Sequence, residues 1–140
     1  PGASTKIKRW NLNYFLEVGS FLIKKKFTPV FIIGPNEFDM IPLIRKSLKL
    51  SKIIKSTDPL KTIKISKTCK FGISNDTGCG HLISASGIPI LTIFGPTSSE
   101  KFSPIGNKHN EVISSQKNHL SKNINLISPA EVIKAITPLL

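Results

Sequence analysis

The stretch that decides the fold is Ser74-Asn75-Asp76-Thr77-Gly78-Cys79-Gly80-His81, continuing Leu82-Ile83-Ser84-Ala85-Ser86-Gly87-Ile88-Pro89-Ile90-Leu91-Thr92-Ile93-Phe94-Gly95-Pro96-Thr97. An apolar run, Phe71-Gly72-Ile73, leads into a polar turn that holds glycines, a carboxylate and a hydroxyl. A short helix-like segment follows, then a second apolar run from Pro89 to Phe94. The order is strand, glycine turn, helix, strand: a βαβ unit with its turn at a helix N-terminus. Four unpaired N–H groups and the positive end of the helix dipole make such a turn a seat for phosphate.

Outward from this unit, strand-like and helix-like segments alternate. Asn11 can cap a helix whose apolar residues Leu12, Phe15, Leu16, Gly19, Leu22 and Ile23 recur at three- and four-residue spacing. Lys24-Lys25-Lys26 falls in its last turn, where cations suit the dipole. Pro29–Ile33 reads as a buried strand ending in the turn Gly34-Pro35-Asn36-Glu37, and Ile41, Ile44 and Leu48 share a face of a second helix. Ile53-Ile54 reads as a brief strand. Thr57-Asp58-Pro59 starts a helix, although Thr62–Ser66 alternates like a strand. A polar loop is expected from Thr97 to Asn110, and Glu111–Ser114 as a last strand. Ser128-Pro129-Ala130-Glu131 is a capping box that opens a final helix, with Val132, Ile133, Ile136, Leu139 and Leu140 inward. Strands apolar on both faces, alternating with helices, imply an α/β fold: a Rossmann-like parallel sheet with helices on both faces. Ligands in such sheets bind beyond the strand C-termini.

One domain of 140 residues, 39% hydrophobic, is expected. No apolar run approaches the ~20 residues of a membrane span, and Pro1–Lys6 lacks the apolar core of a signal peptide. Two cysteines, Cys69 and Cys79, beside the βαβ unit favour reduced thiols in a cytoplasmic protein. With three scattered histidines they are too few for a zinc site, and no metal is expected. The net charge of +12 draws polyanions: nucleotides, nucleic acid or an anionic membrane surface. The cations are nearly all lysine, Arg9 and Arg45 being the exceptions, which argues against specific nucleic-acid reading. A peripheral position at a membrane stays open, as does the plainer reading that lysines solvate the surface.

Several residues bear on the chemistry. Gly78 and Gly80 permit close backbone approach and positive φ, for a phosphate or merely for a tight turn. Asp76 can cap the helix or hold the turn's amides, since a carboxylate facing a diphosphate would be repelled. Thr77 offers a hydroxyl and an N–H. His81 lies one turn into the helix and can donate to a phosphate, or can be a plain surface residue. Lys6 or Lys8 can neutralise a diphosphate, and Glu37 can accept from two ribose hydroxyls or sit idle in its turn.

Asn75-Asp76-Thr77-Gly78-x-x-His81, then Ser84-Ala85, Pro89 and Phe94-Gly95-Pro96-Thr97, resembles the signature of glycosyltransferase family 9, the ADP-heptose:lipopolysaccharide heptosyltransferases and their relatives. Pro1-Gly2-Ala3-Ser4 with Lys8-Arg9-Trp10 resembles the start of that family's C-terminal domain, and Gly34-Pro35-Asn36-Glu37 its nucleoside-binding turn. The likeness covers the whole chain. It implies the C-terminal half of a GT-B fold, residues 1–140 being the sugar-nucleotide-binding domain without the N-terminal acceptor domain. By motif match, Lys8 pairs with the diphosphate, Ser4 and Thr5 bond nearby, Glu37 holds the ribose, Thr77 and Gly78 receive the diphosphate, and Asp76 and His81 shape the seat. Arg9 and Trp10 match as structural markers. The implied reaction is inverting transfer of a sugar, expected to be heptose from ADP-heptose, to a lipopolysaccharide-type acceptor, with no cofactor, by a cytoplasmic protein that can lie peripherally at the inner membrane. The general base belongs to the missing domain, so the chain by itself is expected to bind without transferring. The family's apolar strand leading into Pro1 is also missing, so a parallel sheet lacking one interior strand is expected.

Overall fold

A computed structural model describes all 140 residues. The Asn11 side chain accepts from the Asn13 amide and opens α1 (Leu12–Lys24), satisfying one of the donors left over at a helix start. Phe15, Leu16, Val18, Gly19 and Leu22 form its buried stripe. The helix ends where Lys26 takes a left-handed φ of 66°. Next come β1 (Val30–Ile33), a 3-10 turn over Pro35–Met40 that replaces the simple turn expected there, α2 (Ile41–Ser47) and β2 (Lys52–Lys55). Asp58 caps α3 (Pro59–Ser66) by accepting from the Leu60 amide. The Asp-Pro start therefore overrides the strand-like alternation inside that segment, and Thr62 and Ser66 become its buried positions.

The central unit is β3 (Gly72–Asn75), α4 (Gly78–Ala85) and β4 (Ile90–Phe94), as its residue order predicts. The expected polar loop contains one short helix, α5 (Ser99–Phe102), before β5 (Asn110–Ser114). A helix that the sequence did not announce, α6 (Ser115–His119), follows directly, and α7 (Pro129–Ile136) closes the chain with a 3-10 turn over Thr137–Leu139. Val132 and Ile136 are buried; Leu139 and Leu140, expected inward, are only half-buried.

All pairings are parallel, but the strands form two pieces. β1 pairs with β2, Val30 opposite Lys52, and β3-β4-β5 form a second sheet with Gly72 opposite Ile90 and Ile90 opposite Asn110. β4 is the inner strand of the larger sheet and all five of its residues are buried. The facing edges of β1 and β3 pair with nothing. Between them lies a cavity of about 760 Å³, lined among others by Phe31, Ile32, Ile73, Leu22 and Ile83. This is the parallel sheet with one interior strand missing that the sequence leads one to expect. Helices flank both pieces, and one core joins them: Trp10, Phe15, Ile33, Ile93, Ile127, Val132 and Ile136 belong to the same buried cluster. No helix is long and apolar enough to cross a membrane.

Candidate functional site

The N-terminus of α4 stands at the C-terminal end of β3, where a parallel sheet presents ligands. Thr77 is its cap, with extended backbone (φ −151°) and its Oγ1 accepting from the Gly80 amide at 3.1 Å. Gly80 is small for a packing reason, since a Cβ there would lie 3.0 Å from Ser74 Oγ and 3.2 Å from the Asn75 carbonyl. Gly78 faces open space, with nothing within 4 Å of where a Cβ would stand. Neither glycine has positive φ, so that reason for their presence is corrected: one is needed for helix-on-strand contact, and the other leaves the helix end uncovered. The amides of Thr77, Gly78 and Cys79 find no acceptor in the chain. They are the orphan donors of a helix start, open to solvent at Gly78.

Asp76 does not cap this helix. Its carboxylate turns toward the chain's first residues, and Oδ2 accepts from Lys8 Nζ at 3.0 Å and from Thr97 Oγ1 at 2.7 Å. Thr77 takes the capping role because its hydroxyl reaches Gly80 from the position directly before the helix. Lys8, at the end of a 3-10 turn over Lys6–Lys8, is thereby tied to the residue directly before the α4 cap; its side chain is 26% exposed and that of Asp76 9%. An ammonium has three N–H donors, and one is spent on Asp76. Of the two candidate lysines, Lys8 is the one paired with Asp76, while Lys6 is exposed and forms no ion pair.

The segment before α1 is tied down by Asn75, at the tip of β3. Its Nδ2 donates to the carbonyls of Pro1 (2.5 Å) and Gly2 (3.2 Å), and its Oδ1 accepts from the Trp10 amide (3.2 Å). Trp10, 1% exposed, is a core residue whose Nε1 donates to the Ile127 carbonyl at 2.7 Å; Arg9 Nε donates to the Ala3 carbonyl at 3.0 Å. Both side chains are thus tied to backbone carbonyls of the chain itself. Ser4 and Thr5 are exposed, with hydroxyls that bond to nothing in the chain. Glu37 Oε2 accepts from the Gly34 amide at 2.8 Å, and its carboxyl packs so closely on Gly2 that a side chain there would run into it. Ser4, Glu37 and Thr77 lie on the wall of the same cavity. His81 is exposed on α4 and its imidazole bonds to nothing in the chain.

Burial pushes the Cys79 thiol above its usual range, which favours the protonated thiol over the thiolate. Cys69 and Cys79 are both free, and no three His, Cys, Asp or Glu side chains stand together. The residues that sequence reasoning left without a role are Asn75, Thr97 and Gln116. The first two stand inside quoted motifs; Gln116 lies in the unannounced α6, and no pattern marks it.

A family model described as glycosyltransferase family 9 (heptosyltransferase) matches residues 1–128. A lipooligosaccharide heptosyltransferase 2 of Campylobacter jejuni is 30% identical over 119 residues, covering 81% of this chain and 37% of that protein. Among solved structures, a family 9 glycosyl transferase of Veillonella parvula superposes with a TM-score of 0.85 at 22% identity, over 99% of this chain and 43% of the other. E. coli heptosyltransferase WaaC with ADP gives 0.87 at 18% identity, over 99% and 42%; with ADP-2-deoxy-2-fluoro heptose it gives 0.82 at 19%, over 99% and 41%. The chain thus spans under half the length of the relatives it matches, and its parallel α/β fold is that of one domain of these GT-B enzymes. On the family match and the curated relative together, this chain belongs to glycosyltransferase family 9, the heptosyltransferase family.

Proposed function

We propose that this chain is the C-terminal, donor-binding domain of a heptosyltransferase and that it grips the diphosphate of a nucleoside-diphosphate sugar, ADP-heptose foremost, for inverting transfer to a lipopolysaccharide-type acceptor. The observation that carries the reading is the open start of α4: three amides without acceptors, with the Lys8 ammonium held by Asp76, the residue directly before the Thr77 cap. Two solved structures of one relative, E. coli WaaC, hold ADP and ADP-2-deoxy-2-fluoro heptose, which supports the choice of nucleotide.

In this reading the sugar–phosphate bond breaks with negative charge gathering on the departing diphosphate. The Thr77–Gly78 amides and the two remaining N–H donors of Lys8 meet that charge where it grows, without reorganising. No metal or cofactor is invoked. The free hydroxyls of Ser4 and Thr5 and the His81 imidazole add hydrogen bonds to the phosphates. Glu37 offers Oε1 to the ribose hydroxyls while Oε2 stays on Gly34. Asp76 orients Lys8 rather than touching substrate. The carboxylates of Asp76 and Glu37 are both committed to internal bonds, so neither is assigned as general base. The acceptor and the base belong to a second domain, and this chain alone binds without transferring. The +12 charge suits a domain working from the cytoplasmic side against an anionic membrane surface.

Calorimetry with ADP, UDP, GDP and their sugars tests this directly. ADP and ADP-heptose are expected to bind and to compete with each other, with weaker binding when Thr77 or His81 is altered. Sugar transfer is expected only when an N-terminal half is added. Binding to DNA or anionic vesicles with a steep salt dependence, and no competition from any nucleoside diphosphate, would overturn the reading.

A further inference from the structure

The Asp76 carboxylate has a second partner, and following it leads away from the seat. Thr97, three residues beyond β4, donates its Oγ1 hydrogen to the same Oδ2 that holds Lys8. An ionised carboxylate only accepts, so the direction of that bond is fixed. The loop carrying Thr97 is itself clamped. Gln116 Nε2, from α6, donates to the Gly95 carbonyl at 2.9 Å and to the Thr97 carbonyl at 3.0 Å. Gly95 is wedged on the other side, where a Cβ would lie 2.6 Å from Ile124 Cβ. Both N–H groups of one amide are therefore spent holding the three-residue span Gly95–Thr97 in place. That is more restraint than a surface loop requires.

We propose that Thr97 and Gln116 are positioning residues for the diphosphate seat, acting through Asp76 on Lys8. The inference rests on the reading of Lys8 as counter-ion to the diphosphate. With Thr97 on Oδ2, the carboxylate is locked in one rotamer and one of its acceptor sites is filled. Lys8 is then drawn to a single place, with its remaining N–H donors left for the same anion that the open amides would receive. Without the Thr97 hydroxyl, Asp76 turns freely and pulls the ammonium with it. Gln116 acts one step further back, by holding the backbone from which Thr97 reaches.

The test uses the 140-residue chain with ADP and adenosine as probes in calorimetry. Thr97→Val is expected to weaken ADP about three- to tenfold, the range of a single hydrogen bond, and to leave adenosine unchanged. Thr97→Ser should restore ADP binding, and Gln116→Leu should reproduce part of the loss. Combined with Lys8→Ala, Thr97→Val should add nothing, because its effect passes through that ammonium. An equal loss for adenosine, or an undiminished loss in the Lys8→Ala background, would overturn the proposal. A second measurement needs no nucleotide. The Lys8 side-chain ammonium, assigned with Lys8→Arg, should give a sharp ¹⁵N signal in the chain and in Thr97→Ser and a broadened one in Thr97→Val. An unchanged signal sinks the positioning role. Absence of ADP binding in the unaltered chain sinks the donor reading instead, and the ammonium signal still decides this one.

Discussion

Gly78 and Gly80 stand two residues apart, and their surroundings predict opposite outcomes for the same substitution. At Gly80 a methyl meets Ser74 Oγ and backbone oxygen at 3.0–3.2 Å, an overpacking that typically costs about 1–3 kcal/mol. Replacing a helical glycine by alanine returns about 1 kcal/mol, so Gly80→Ala should lose up to about 2 kcal/mol in urea unfolding. Gly78→Ala has room and should fold at least as stably, yet it sets a methyl before the orphan amides. Its ADP affinity should fall at least tenfold; equal ADP affinity in Gly78→Ala and the unaltered chain would mean the amides are not the seat. On the proposed donor reading, Lys8→Ala in a full-length, two-domain form would remove a charged donor from the leaving group. The loss of turnover should be on the scale of ~2.7–4 kcal/mol in the barrier, read as kcat with folding checked alongside. The check matters because the change leaves the nearly buried Asp76 with Thr97 alone. How Lys8 is placed was not legible from spacing. It is 68 residues from Asp76, and only the fold joins them.

The elements most readable in the sequence are those whose signals are local. The α7 capping box is complete: Glu131 Oε2 accepts from Ser128 N (2.8 Å) and Oγ (2.9 Å), and Ser128 Oγ accepts from the Glu131 amide (3.3 Å). The βαβ unit and the Asp58 start of α3 are local in the same sense. Unannounced α6 is five residues without an apolar stripe, closed by Leu120 in a left-handed conformation. It forms because β5 delivers Ser115 into the core and Gln116 onto the Gly95–Thr97 loop, which are tertiary causes. At α7, partial burial draws the Glu131 carboxyl upward. The bonds from Ser128, with the His119 Nε2 contact at 2.9 Å, outweigh it and leave the carboxyl below its ordinary value of 4.5. A depressed carboxyl stabilises the fold above its unfolded pKa, and that contribution fades as pH falls through the folded one. Glu131→Gln should therefore cost stability at pH 6, and the gap to the unaltered chain should close progressively below about pH 4.5. A gap constant down to pH 3 in urea titrations would show that the carboxylate charge plays no part in the cap.

At the scale of the whole molecule, the break between β1 and β3 governs how firmly the seat is built. The mouth of the intervening cavity is bridged by residues 1–3, which hang from Asn75 at the end of β3 and lie against Glu37 beyond β1. Those same residues lead to Lys8, so whatever steadies the two sheet pieces also steadies the ammonium. Both facing strand edges carry unpaired backbone groups, and the walls include Phe31, Ile73, Leu22 and Ile83. An extended apolar segment laid parallel to both edges would pair on two sides and bury its side chains. Each such side chain contributes about 1.5–3 kcal/mol, against about 1–2 kcal/mol per residue for ordering the backbone. The two nearly cancel, so a free five-residue peptide should bind weakly. Joining it ahead of Pro1 removes most of the association cost and sets the parallel direction, because the tether ends at the mouth. A Val/Ile-rich extension so joined should raise the thermal midpoint by several degrees and tighten ADP binding in the same samples. The same extension with a central proline should do neither, since proline cannot donate to a ladder. Stabilisation without any gain in ADP affinity would separate the sheet from the seat and leave Lys8 dependent on Asp76 alone. A proline variant that performs as well as the unbroken one would mean the cavity accepts apolar mass rather than a strand.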